Sequence, residues 1–360
     1  MWYIGLDVHA ETTVISIRSA RGVVVRRTVV PTTAVELRRA LKQVRGRAQI
    51  TFEAGPLAPW LKGILETKLR KVIVCDRRRT RIGARGASKS DKFDADRLSD
   101  CLRAGSVHPV YVPQGQELEL RRCLLHYTKM VRERRRAIQR LRAFFLESGV
   151  RVPPNRKAPH RVPIRKLPRG AAQYIARAYA WQIEAVTELV IHARSQLLLS
   201  AARNPTFELL QTIPYVGEIR SATLLGIIGD PSRFGGRRKL WSYGGLGVVQ
   251  KTTADHRVEN GQIVRESRKR GVRPSKTGQP LLKKVLADLA LHASSGRGVF
   301  REIFERDIAR GCRPPIARLS LARKIATVIA AVWRSGKPFN SSLISTANNF
   351  GASIRQEFSQ

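Results

Sequence analysis

Three β-branched runs crowd into the first thirty residues, and they narrow what the N-terminal part of this chain can become. Residues 2–8, 12–18 and 22–30 each read as a strand, and Arg21-Gly22 marks a hairpin between the second and third. The pattern then changes. Residues 33–44 read as a helix, with Val35, Leu37 and Leu41 apolar and Pro31 ahead of it. A short strand at 49–53 stops at Gly55-Pro56, and a helix runs on to about residue 69. A strand at 71–75, a helix at 91–104 and a last strand at 107–112 complete the region. A meander of three strands, followed by strands alternating with helices, predicts an α/β unit: a mixed sheet with helices on its faces.

Acids are scarce in this chain, so their placement carries weight. Lys and Arg number 67 against 27 Asp and Glu, a formal net charge of +40 with a pI near 11.5. A chain this basic calls for a polyanionic partner, with nucleic acid first and a membrane surface as the alternative. Apolar residues make up 42% of it, which excludes a disordered chain. No apolar run approaches a spanning helix and the first residues lack a signal-peptide pattern, so a cytoplasmic, nucleoid-associated protein without a membrane partner is expected. Cys75, Cys101, Cys123 and Cys312 are scattered, without zinc spacing, and read as reduced thiols. Aromatic residues, at 6%, do not signal a base-stacking platform.

Against that background, Asp7 falls near the end of the first strand and Glu53 at the end of the fourth. Asp91 and Asp94 open the helix that follows a loop bearing Arg77, Arg78, Arg79, Arg81, Arg85 and Lys89. Asp91 and Asp94 are spaced i,i+3 and share a helix face. The plain explanation of that pair is an acidic helix start that suits the macrodipole. The other is a site, because strand ends in α/β sheets are where sites form. Four carboxylates brought together there would hold two metal ions for phosphodiester chemistry. Asp96 and Asp100 compete for the role; Asp96, two residues past Asp94, points off the shared face and reads as a solvated charge. His9 shares a strand face with Asp7 by alternation but reads as structural.

Residues 113–203 read as a helical, coiled-coil middle. A helix over 114–148 places Leu120, Leu124, Tyr127, Val131, Arg134, Ile138, Leu141 and Phe145 at alternating four- and three-residue steps, a heptad seam with one charged interruption. The seam could serve the chain's own domain or a dimerising arm. Its flanks carry Arg121, Arg122, Arg132, Arg135, Arg136, Arg140 and Arg142, suited to phosphates. Residues 151–170, with five prolines, seven basic residues and no acid, read as a basic linker. A second long helix follows at 171–202. Residues 204–342 read as a mainly α domain. It opens with a helix–turn–helix over 209–225, shaped by Pro214 and Gly217, whose free amides could grip a phosphate in the manner of a helix-hairpin-helix. A polar stretch reaches Gly278, helices resume near Gln279-Pro280, and a final helix at 316–334 ends at Gly336. Residues 343–360 read as a loose tail.

These pieces carry a resemblance. Gly5-Leu6-Asp7-Val8-His9, Phe52-Glu53-Ala54-Gly55-Pro56 and Ser90-Asp91-Lys92-Phe93-Asp94-Ala95 resemble the DEDD transposases of the insertion-sequence class often called IS-one-ten. The first domain of that family, residues 1–112 here, has an RNase H-like (RuvC-like) fold. Further along, Ile213-Pro214-Tyr215-Val216-Gly217, Arg233-Phe234, Tyr243-Gly244-Gly245-Leu246 and Arg334-Ser335-Gly336-Lys337-Pro338-Phe339 resemble its second domain. The resemblance implies that Asp7, Glu53, Asp91 and Asp94 bind Mg2+, in a two-ion site. It also implies DNA as substrate, a guide RNA from the element's own flank, and a homo-oligomer, dimer or tetramer, formed through the long helices. The family's second domain supplies a serine that attacks DNA. Here that position falls on Thr253, or on Thr252 if the register slips by one, with Ser242 and Ser267 as rivals; Ser242, at an aromatic helix end, reads as packing. Threonine's branched Cβ crowds such an attack. Three readings stay open: a transposase that cuts and rejoins DNA, a metal-dependent nuclease or junction resolvase, and an inactive nucleic-acid-binding relative.

Overall fold

The computed structural model describes residues 1–76, 91–152, 164–249, 256–265, 273–274, 277–341 and 344. The chain forms two compact units, Met1–Leu118 and Glu119–Gln360. The first holds a five-stranded sheet of β1 (Trp2–Val8), β2 (Thr12–Ser19), β3 (Val24–Pro31), β4 (Ala48–Glu53) and β5 (Arg70–Cys75), in the order β3-β2-β1-β4-β5. The β1–β2 and β2–β3 pairs are antiparallel, while β1–β4 and β4–β5 are parallel. The predicted meander and the predicted α/β alternation thus join in one mixed sheet. The expected strand at 107–112 is the exception. Only an isolated bridge pairs Pro109 with Cys75, flanked by single bonds from Val110 N to Val74 O and from Asp76 N to His108 O. Pro109 and Pro113 have no N–H to give a ladder, so the pairing stays local.

Alternation along the strands divides the sheet into two chemically different faces. Ile4, Leu6, Ile50 and Phe52 are buried on one face with Leu37 and Leu41 of α1 (Ala34–Lys42) and Leu61 and Leu65 of α2 (Ala58–Leu65). Thr33 caps α1 by accepting the Glu36 amide. The other face presents Gly5, Ser16 and Thr51, which are opposite one another in register. Against it lies α3 (Asp91–Arg103). A Cβ at Gly5 would overlap the Ala95 carbonyl oxygen and stand 2.6 Å from the Ser99 nitrogen. The helix can therefore lie this close to β1 only because residue 5 has no side chain.

A polar network locks α3 in place. Ser16 Oγ donates to Asp96 Oδ1 at 2.6 Å, and Arg27 of β3 donates to the same carboxylate, with Nη2–Oδ2 at 2.6 Å. Arg18 donates to the Asp96 carbonyl and, through Nε, to Ser99 Oγ. Asp96 is thus a half-buried anchor rather than the solvated charge the sequence predicted. Its partners came from β2 and β3, seventy to eighty residues away, where no local spacing shows them. Partial burial by itself would raise the Asp96 pKa, but bonds from Arg27 and Ser16 and the charges of Arg27 and Arg18 outweigh it and lower the value.

The second unit is helical. The division falls within α4 (Gly115–Glu147), which is followed by α5 (Ala171–Ala202), α6 (Thr206–Gln211), α7 (Glu218–Ile228) and α8 (Arg237–Tyr243). Then come β6 (Val248–Val249), β7 (His256–Glu259), β8 (Gln262–Arg265) and β9 (Arg273–Pro274), and finally α9 (Pro280–Ser295), α10 (Val299–Ala309) and α11 (Pro314–Ser335). The expected polar stretch before Gly278 therefore contains a hairpin, β7–β8. Its Asn260-Gly261 turn has φ of 50° and 79°, a turn signal legible in the sequence. The main core gathers Leu124, Leu224, Ile227, Leu286, Leu321 and Ile329 from α4, α7, α9 and α11. Gln279 caps α9 through its side-chain oxygen, with Pro280 at the first position, and Gly336 ends α11 at φ 64°.

A smaller core explains the heptad seam. Leu141 and Phe145 of α4 pack with Ala176 and Ile183 of α5 and with Leu167, which follows a short 3₁₀ turn at Ile164–Lys166. Leu120 and Leu124, at the other end of the seam, lie in the main core. The seam's buried positions are used within the chain, and the end of the predicted linker is ordered by this packing. Its first part, 153–163, lies outside the described residues, as do the arginine loop at 77–89 and nearly all of the tail. The outward face of α5 differs in character. Tyr174, Trp181 and Leu199 are 68%, 64% and 61% exposed. Together with exposed Ala178, Ala185, Glu188, His192 and Ser195 they step by fours and threes. All four cysteines are free thiols, and Cys75 is buried.

Two predictions test this architecture. Gly5→Ala should destabilise the first unit by about 1–3 kcal/mol, the usual cost of forcing an extra methyl into a packed contact, read as a lower denaturant midpoint for the sheet signal. Asp96→Asn should lower the thermal midpoint by an amount that depends on pH. Because the folded-state pKa of Asp96 lies below the unfolded value of about 3.9, its stabilisation is complete above that value and is lost as pH falls through the folded one. The gap between wild type and variant should be constant above about pH 5 and close at lower pH; a gap that widens in acid would refute the assignment.

Candidate active site

The site begins with the register of β1 and β4. Leu6 lies opposite Phe52, so the next residues along these parallel neighbours, Asp7 and Glu53, sit side by side at the C-terminal ends of the strands. Asp7 follows Gly5 by two residues and therefore projects on the face covered by α3. Glu53 follows Thr51 in the same way. The direction of α3 completes the placement. Arg103, at its C-terminus, comes within 3.4 Å of where a Cβ on Gly22 would be, at the β2–β3 turn. Ser19, beside that turn, pairs with Trp2. The helix thus runs antiparallel to β1, and its start, with Asp91 and Asp94, lies toward the end that carries Asp7.

Asp7, Glu53 and the opening turn of α3 consequently occupy one face and one end of the sheet. The carboxylates of Asp7, Glu53 and Asp94 are each partly buried. The side chain of Asp91 lies outside the described residues. Among the described residues, no three His, Cys, Asp or Glu side chains stand close enough to hold a metal ion between them. The donors gathered at the strand ends are carboxylate oxygens, the chemistry a hard divalent cation requires. His9 enters here despite its structural reading from sequence: its Nε2 lies 3.3 Å from Asp7 Oδ2. The i,i+2 alternation was the signal for that contact. Asp76, directly after β5, is a further acid at this end of the sheet that the sequence reading passed over. Asp100 stays at the other side of α3, with Arg103 at 3.0 Å and Arg18 at 3.8 Å.

In the second unit the turn between α6 and α7 has an unexpected shape. Gly217, credited with shaping it, has an extended backbone at φ −85°, and Tyr215 takes the left-handed conformation at φ 69°. A non-glycine residue there costs of order 1–3 kcal/mol. Its surroundings hold it in place. The Tyr215 hydroxyl donates to the Arg297 carbonyl at 3.0 Å and accepts the Arg297 amide at 3.1 Å, and Arg220 donates to the Tyr215 carbonyl at 2.7 Å. Gly296 provides the space, since a Cβ there would overlap the hydroxyl. Beside the turn a cleft opens, lined by Pro214, Arg297, Phe300, Glu302 and Phe339.

The remaining motif residues of this unit pack on one another. The Arg233 guanidinium lies 4.3 Å from the Phe234 ring centre and 4.7 Å from that of Tyr243, and the two rings are 5.3 Å apart. Arg334 donates to the Pro231 carbonyl, and the Phe339 amide donates to Thr212 Oγ1. Ser242, expected to be packed, is exposed. Thr252, Thr253 and Ser267 lie outside the described residues.

Comparison with known proteins adds to this geometry. A family model described as a transposase, of the DEDD type, matches residues 4–148. A second, described as the transposase IS116/IS110/IS902 family, matches residues 207–271. A protein of Sinorhizobium fredii (strain NBRC 101917 / NGR234), provisionally named transposase y4qE, is 26% identical over 225 residues. That match spans 61% of this chain and 55% of the relative, so the chain covers little more than half of its length. Between them the two family models account for more than half of the chain, in the order in which the two units occur. The chain thus carries DEDD-type and IS110-family transposase domains, in that order.

Proposed function

We propose that this protein cuts and rejoins DNA to move an insertion sequence, and that the acids of its first unit and a hydroxyl of its second divide the work. The observation that carries the reading is the placement of Asp7 and Glu53 on adjacent strand ends beneath the acidic start of α3, in a chain of net charge +40. The strand order β3-β2-β1-β4-β5, antiparallel on one side of β1 and parallel on the other, supports an RNase H-like first unit. Asp7, Glu53, Asp91 and Asp94 would hold divalent metal, Mg2+ by preference. The metal would lower the cost of charge on the attacking and leaving oxygens of a phosphodiester. Exposed arginines such as Arg122, Arg132 and Arg136 on α4 would track the phosphate backbone.

Thr253, or Thr252, would supply the hydroxyl. Its oxygen would form a bond to phosphorus as one ester oxygen of the DNA leaves, so one P–O bond replaces another and rejoining needs no outside energy source. The reading extends to a guide RNA from the element's flank and to action at the nucleoid. A nuclease working through the acids alone is the second reading, and threonine in the place of the family's serine favours it. Among the described residues no helix is long and apolar enough to cross a membrane.

Assembly would use the outward face of α5, since the buried positions of the α4 seam are occupied within the chain. This helix carries two arginines and two glutamates, against nine basic and four acidic residues on α4. A neutral apolar face suits a second copy of the chain better than a polyanion.

An excision assay tests the chemistry: the gene and its flanks are placed on a plasmid and rejoined junctions are sequenced. Asp7→Asn and Asp94→Asn should each reduce junctions by at least about a hundredfold, the upper range for losing even an outer-shell partner of a metal. Thr253→Ala should abolish junctions and Thr253→Ser should restore them. Junctions that survive both acid substitutions would sink the proposal, and survival of Thr253→Ala alone would move the nucleophile elsewhere. For the assembly, light scattering on the full chain should give at least a dimer, and Trp181→Glu should give a monomer of unchanged helix content. An unchanged mass in that variant would remove α5 from the interface.

A further inference from the structure

The cleft beside the α6–α7 turn is assembled from three segments far apart in sequence, and each is fastened to another. The turn contributes Pro214, the loop and first turn of α10 contribute Arg297, Phe300 and Glu302, and the chain beyond α11 contributes Phe339. The Tyr215 hydroxyl bonds both the amide and the carbonyl of Arg297, and the Phe339 amide donates to Thr212 Oγ1 at 2.9 Å. Phe300 is 1% exposed, and its ring centre lies 5.8 Å from that of Phe339 at an interplanar angle of 37°. A ring seated on a buried ring, between segments tied to one turn, keeps its orientation before any ligand arrives. The cleft encloses about 560 Å³, within the range of small-ligand sites.

The charged groups that line it are not used by the fold. Arg297 and Glu302 are both exposed. Among the described residues neither side chain has an ion-pair or hydrogen-bond partner, and they do not pair with each other. Lys and Arg outnumber Asp and Glu by 67 to 27, yet Glu302 borders the cleft without a cation. An apolar slot with one free carboxylate and one free guanidinium calls for a flat ring that has donors on one edge and acceptors on another. Nucleobases are such rings. Guanine alone presents two adjacent donors, N1–H and the N2 amine, to the two oxygens of a carboxylate. It also presents two adjacent acceptors, O6 and N7, to the fork of a guanidinium. Adenine, cytosine and thymine each offer a carboxylate one donor on the pairing edge. A single stacking ring suffices for a single base, so the low aromatic content of the chain is no obstacle.

We propose that this cleft binds one unpaired guanine of single-stranded DNA, stacked on Phe339 beside Pro214, with Glu302 accepting from N1 and N2 and Arg297 donating to O6 and N7. The inference rests on the reading that the protein acts on DNA. It adds recognition of a base to a molecule whose net charge of +40 attracts any phosphate backbone. A guanine paired in duplex has N1 and N2 committed to cytosine, so the site favours a strand that has been opened.

The test measures binding of the full chain, by fluorescence anisotropy at fixed salt, to a short oligothymidine and to the same oligomer with one central dG. The guanine should tighten binding by on the order of tenfold to a hundredfold, the discrimination of a bidentate pair, whereas dA or dC at that place should not. Deoxyinosine lacks the N2 amine and 7-deazaguanine lacks N7, and each should forfeit part of the gain. In Glu302→Gln the advantage of dG over deoxyinosine should vanish; in Arg297→Met its advantage over 7-deazaguanine should vanish. A merely structural loss would not sort the analogues in this way. A guanine preference that survives both substitutions would overturn the cleft as its site. Equal binding of all the DNA oligomers by the native protein would overturn the inference and leave the DNA reading standing. A preference confined to a matched oligouridine with one guanine would overturn the assignment to DNA. Failure to bind any DNA oligomer would remove the DNA reading itself, and this inference with it.

Discussion

Everything at the acidic end of the sheet depends on how closely α3 approaches β1. A glycine at position 5 lets a helix backbone rest directly on a strand backbone, and the small buried polar residues around it, Ser16, Thr51 and Ser99, keep that face flat. The helix buries Ala95, Leu98 and Leu102 and is locked in addition by charge, through Asp96, Arg27 and Arg18. The arrangement makes the placement of Asp94 a consequence of the register of β2 and β3. A fault in the first hairpin would be felt at the opposite end of the helix.

The two units achieve order by different means. In the first, an apolar layer covers one face of the sheet and a mixed layer, with a buried polar network, the other. In the second, a single large core formed around α11 binds most helices, and motif residues that look chemical in the sequence turn out to be fasteners. Arg233 lies against Phe234 and Tyr243, Arg334 ties the end of α11 to Pro231, and Tyr215 is pinned by the Arg297 backbone. Motifs in this unit hold turns in conformations that the chain would not adopt unaided.

This difference explains what the sequence made legible. Strand alternation and helix periodicity locate the five strands of the first unit and the long helices of the second, and the order of acids along the chain places Asp7 and Glu53 near strand ends, but the β7–β8 hairpin and the short helices Arg237–Tyr243 and Val299–Ala309 escape them. Local patterns failed where the deciding partner was remote. Asp96 looked solvated because Ser16 and Arg27 are distant in sequence, and the α4 seam looked available because α5 and the 3₁₀ turn that cover it come after a proline-rich stretch. The strand expected at 107–112 failed for a nearer reason, since two prolines remove the donors a ladder needs. Pro214 and Gly217 mark the α6–α7 turn in the sequence, whereas its left-handed residue is Tyr215, stabilised by bonds from a loop some eighty residues on.

The outermost strand of the sheet has one more consequence. Among the described residues nothing pairs with the far side of β3, the kind of edge on which sheets of neighbouring molecules can aggregate. It carries Arg26 and Arg27 in mid-strand and ends in Pro31. The charge of Arg26 and the missing donor of Pro31 discourage pairing with an identical edge, while Arg27 is taken up by Asp96. Where copies of this chain crowd together, such an edge discourages their sheets from fusing.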